Sequence, residues 1–68
     1  MTITRAEATA AARKIVANLG QNDIVWTVAD VERTLPAGWT LQNVEDSDFH
    51  PVTVANVARV LYRNVTVR

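Results

Sequence analysis

Apolar residues recur over the first twenty positions at helical spacing. At about 100° per residue, Ala8, Ala12, Ile15, Val16 and Leu19 share one face, with Arg13, Lys14 and Asn18 off it. Thr4-Arg5-Ala6-Glu7 fits a capping box, and Ile3 just before it suits a hydrophobic staple. The pattern predicts a helix from about residue 5 to 18, with Gly20 beyond its end. Its alanines make the apolar face thin, so a neighbouring element can approach closely.

After "GQND" the run "IVW" has the character of a short strand. Thr27-Val28-Ala29-Asp30 repeats the capping pattern, and Val28, Val31 and Leu35 follow at helical spacing until Pro36 and Gly38 stop them. "WTLQNV" alternates and predicts a strand, "EDSDFH" an acidic loop, and Pro51 the first turn of a third helix. The closing "NVTVR" alternates again and predicts a short final strand.

The third helix divides by angle. With Thr53 at zero, Val57, Leu61, Val54, Ala58 and Tyr62 fall between about 40° and 180° and form the expected core side. Asn56, Arg63 and Arg59 fall at about −60°, −80° and −120°, leaving Thr53, Asn56, Arg59 and Arg63 as an exposed polar stripe. Arg suits guanine or phosphate, Asn adenine, and Thr the backbone or a methyl group. Val52 and Val60 intrude on that stripe, as contacts to thymine methyls or as part of a protein interface.

The order helix, short strand, short helix, strand, longer helix, strand resembles the winged helix-turn-helix family of DNA-binding domains. "TVADVERTL" looks like the family's second helix and "PVTVANVARVLYRN" like its recognition helix. The resemblance implies an α+β fold, a small three-helix domain with short β-strands. Its wing would pair the final strand with Trp39–Val44. It also implies double-stranded DNA as partner, with Thr53, Asn56, Arg59 and Arg63 facing the duplex, Arg68 on a phosphate, and Arg13 or Lys14 assisting.

Length and charge narrow the picture. The 68 residues make one small globular domain, and nearly half are hydrophobic, which argues against disorder. With no cysteine, the core must do without disulfides or thiolate metal sites, helped by a homodimer if one forms. The net charge of zero is segregated: residues 1–20 carry +2, residues 21–50 carry −5, and residues 51–68 carry +3. The acidic middle and the two valines favour the alternative of a protein-interaction module, an inhibitor or adaptor for a larger partner.

Chemistry is sparse. His50 is the only histidine, and Asp46, Asp48 and His50 alternate as they would for a cation, yet such acidic loops more often cap helices or face solvent. Asp48 is expected beside the N-terminus of the third helix. Ser47 and His50 lack an oxyanion donor, and two glycines make no phosphate loop. No catalysis, metal or cofactor is expected. One or both of Trp26 and Trp39 are expected to anchor the core, with Phe49 and Tyr62 at its edge; stacking on nucleic acid would need exposed aromatics beside basic residues. No apolar run approaches the roughly 20 residues of a membrane span, and the protein is expected in the cytoplasm.

Overall fold

The computed structural model describes residues 2–19 and 27–68. Expectations for "IVW", Trp26 and Gly20 lie outside the described residues. The rest form an α+β domain of three α-helices, a 3-10 turn and a two-stranded antiparallel sheet.

Helix α1 runs from Arg5–Leu19. The Thr4 N–H donates to Glu7 Oε1 at 2.9 Å, and the Glu7 N–H donates to Thr4 Oγ1 at 3.1 Å, so the box closes reciprocally. Ile3 is buried beside it. Ala8, Ala11, Ala12 and Ile15 form the buried face, with Val16 and Leu19 partly covered, as the spacing requires. These short side chains let α3, Val54–Asn64, pack directly on α1.

Helix α2 spans Val28–Thr34. At its start, the Thr27 N–H donates to Asp30 Oδ2 at 2.8 Å. At its end, the Thr34 hydroxyl donates to the Val31 carbonyl and the Leu35 N–H to the Glu32 carbonyl. Two turns cannot stand alone, and Val31, fully buried, fastens this helix to the core. The following turn passes through Gly38 at φ +87°, a conformation that glycine adopts without a Cβ penalty.

Strand β1, Trp39–Leu41, pairs with β2, Val65–Val67, placing Trp39 opposite Val67, Thr40 opposite Thr66 and Leu41 opposite Val65. The hydroxyls of Thr40 and Thr66 meet across the pair at 2.8 Å. The final strand thus joins the segment preceding α3, as the resemblance implied, but β1 is shorter than the alternating run. Asn43, at φ 61°, turns the chain away after Leu41.

The acidic segment is ordered rather than a plain loop. Asp46–Phe49 makes a 3-10 turn, η1, with the Glu45 N–H donating to Asp48 Oδ2 at 2.9 Å. Asp46 Oδ1 accepts from the Val28 N–H, tying η1 to the start of α2. Phe49 is fully buried, so it sits inside the core rather than at its edge. Two further expectations change. Pro51 precedes α3 instead of opening it, and Thr53 is the N-cap, its Oγ1 accepting from the Asn56 N–H at 3.1 Å. Asp48 caps η1 rather than α3.

The buried stripe of α3 is also rotated from the predicted one. Val57, Val60 and Leu61 are buried, Val54 and Ala58 are only half-buried, and Tyr62 is exposed at 40%. On an ideal helix this moves the stripe by about 70°. Helix α3 packs against both α1 and η1, and Val60 belongs to the same buried cluster as Phe49 of η1. Among the described residues, no polar side chain is buried and no buried side-chain nitrogen or oxygen lacks a partner.

Candidate nucleic-acid interface

With the stripe rotated, the outward positions of α3 are Ala55, Arg59, Tyr62 and Arg63. Beside them runs the edge of α1 that carries Arg5 and Thr9. Together they border a groove of about 490 Å³ whose floor includes Ala8, Ala55 and Ala58. Three arginines line it and no acidic residue does. The two basic ends of the sequence therefore meet on one face.

Two of the arginines are held in place. The Arg5 guanidinium carbon stands 4.9 Å from the centroid of the Tyr62 ring, a cation–π contact. Arg59 Nη2 donates to Asn56 Oδ1 at 2.6 Å. Asn56 is itself fixed, because its Nδ2 donates to the main-chain carbonyls of Asp48 at 3.0 Å and Pro51 at 3.1 Å. Among the described residues the one ion pair is Arg33 with Asp30, away from this groove.

The sequence-predicted residues thus divide. Arg59 and Arg63 share the groove. Thr53 and Asn56 sit at the start of α3, where their side chains cap the helix and staple the preceding turn. Arg13, exposed, lies four residues beyond Thr9 and so on the same edge of α1. Lys14 lies about half a turn round from Arg5 and lines a different groove, with Glu7, Ala10, Ala11, Thr34, Pro36 and the half-buried Trp39. Arg68 is exposed at the end of β2, with its N–H donating to the Gly38 carbonyl. Val60 is 5% exposed and offers no surface to a partner; Val52 is half-buried.

Sequence reasoning missed Arg5 and Tyr62. The signal for Arg5 was its i, i+4 relation to Thr9 and Arg13. Tyr62 lay at the 180° limit of the predicted core arc, where a small rotation brings it out.

The acidic turn stands beside the arginines, not opposite them. Arg59 and Arg63 also border a smaller polar groove of about 210 Å³ that includes Asn43, Asp48 and Asn64. The two side chains form a ridge between an acid-free groove and one with a carboxylate. Among the described residues no His, Asp and Glu cluster could hold a metal ion, and no helix is long and apolar enough to cross a membrane.

Comparison with protein-family models, curated proteins and solved structures gives no match to this chain. The winged helix-turn-helix resemblance therefore rests on element order. Against it stands the connection between α2 and α3, residues 35–53, which holds β1 and η1 in place of a tight turn.

Proposed function

We propose that this is a small non-enzymatic DNA-binding protein of the cytoplasm, an accessory or transcriptional regulator of phage or mobile-element type. Its DNA-facing surface is the α1–α3 groove. The observation that carries this reading is the convergence of Arg5, Arg59 and Arg63 on a groove without an acid. Arginines fixed by a ring or an amide present their charge to a phosphate strand with less ordering to lose. Arg13 extends the same edge, and Arg68 is a further cation outside the groove. So few positive charges make a monomer a weak, salt-sensitive binder, so a dimer is expected to be the binding species.

Salt-titrated mobility shifts with random and genomic duplexes test this. Binding is expected at about 50 mM salt, where screening is weak, and to fade as salt rises. Arg63→Glu and Arg5→Glu are expected to weaken it at least tenfold, and Lys14→Glu, on the other side of α1, by less than about threefold. Absence of binding at low salt would overturn the proposal.

A second reading has its own observation: among the described residues Tyr62 is the exposed large hydrophobic one, and Ala55 and Ala58 line the same groove. That combination also suits an acidic amphipathic helix of a partner protein. Retained partner capture by Arg63→Glu, lost with Tyr62→Ser, in a chain that binds no DNA would favour it.

A further inference from the structure

Resting on the DNA-binding reading, we infer that this protein grips the phosphodiester backbone of a duplex and does not read its sequence through Thr53 or Asn56. An asparagine reads adenine by presenting an amide donor and a carbonyl acceptor together to one base edge. In this protein both amide hydrogens of Asn56 are engaged by the carbonyls of Asp48 and Pro51, and its Oδ1 takes the Arg59 guanidinium. Thr53 Oγ1 accepts the Asn56 N–H at the head of α3. Reading a base with either residue would undo the turn that sets the start of the helix.

The outward face of α3 offers little else to a base edge. Ala55 has no polar side-chain atom to hydrogen-bond, Tyr62 lies under Arg5, and Arg59 is tethered back to Asn56. Arg63 remains. A single arginine can select a guanine, which almost any duplex supplies within a few steps, so it confers little sequence preference. Phosphate contact asks for what is present: fixed cations on two neighbouring helices, separated by a floor of alanines that lets a strand come close.

The test is an anisotropy titration over AT-rich, GC-rich and mixed duplexes, with selection from a random library. Dissociation constants are expected to agree within about threefold, and the log–log salt slope to lie near −3, for about three neutralised phosphates per protomer. Asn56→Ala, with its fold checked by circular dichroism, is expected to change affinity for all duplexes by one common factor. An enriched motif bound about tenfold or more above a scrambled duplex would overturn this inference and leave DNA binding standing. So would an Asn56→Ala effect confined to duplexes with adenine at one position. Failure to bind any duplex at about 50 mM salt would remove the inference together with the reading beneath it.

Discussion

The Arg5 guanidinium rests over the Tyr62 ring, 4.9 Å from its centroid, and so joins the first turn of α1 to the last turns of α3. At an exposed site such a contact contributes about 0.5–1 kcal/mol. A double-mutant cycle with Arg5→Met and Tyr62→Leu, followed by urea denaturation, should return a coupling of that size. A coupling indistinguishable from zero would show that ring and cation are merely near one another.

Asn56 ties the turn before α3 to the helix through two hydrogen bonds, and accepts a third from Arg59 within α3. Asn56→Ala leaves two carbonyls and one guanidinium without this partner, in a partly solvated setting. The expected loss is about 1–2 kcal/mol. Hydrogen exchange should quicken chiefly at residues 45–56. Unchanged exchange there would mean that the turn holds without the side chain.

Among the described residues, Phe49 is the largest fully buried side chain, and it comes from a turn rather than from an α-helix or strand. Phe49→Ala should cost about 3–5 kcal/mol, comparable with a whole stability of about 3–10 kcal/mol for a chain of this length. The variant should be largely unfolded at 37 °C by far-ultraviolet circular dichroism, while Phe49→Leu should fold with a loss of about 1.5 kcal/mol. A cooperative Phe49→Ala transition near the wild-type midpoint would contradict the packing described.

Acid should weaken the start of α2. The Asp30 carboxyl is held below its ordinary value of 3.8, first by the Thr27 N–H and then by Arg33, against some loss of hydration. Its lowered folded pKa means that the stabilisation is fully present above pH 3.8 and is lost as pH falls through the folded value. Asp30→Asn should therefore be less stable than wild type at neutral pH, with the difference shrinking in strong acid. A difference that stays constant down to pH 2 would exclude the charge as its source; denaturant curves at stepped pH, read near about 2 and 7, make the comparison.

Much of the architecture follows from local rules visible in the chain. The two [ST]-x-x-[DE] boxes, the alanine face of α1 and the alternation in "WTL" and "VTV" each specify a local element, and the structure contains each. What the chain order hides is which elements touch. The buried arc of α3 depends on η1, whose side chains face it only after a long connection has folded back. A helical wheel anchored on Thr53 therefore admits Tyr62 and leaves Val60 outside. The site was legible in Arg59 and Arg63, since charge at helical spacing is local. Arg5 is more than fifty residues away in sequence and joins them only because α1 and α3 pack together. Asn56 looked like a reader because its residue type is polar; the carbonyls that occupy it belong to backbone whose position sequence does not display.

Val65 belongs to two elements at once. Its N–H closes the last turn of α3 on the Leu61 carbonyl, and it stands opposite Leu41 in the strand ladder. No swivel residue separates helix from strand. Turning α3 about its own axis would drag Val65–Val67 out of register with Trp39–Leu41. The arginine ridge is thus geared to the sheet, and under the DNA-binding reading proposed above a duplex must fit its existing pitch. Docking then loses little ordering entropy, and a misfit ligand is rejected by geometry rather than accommodated.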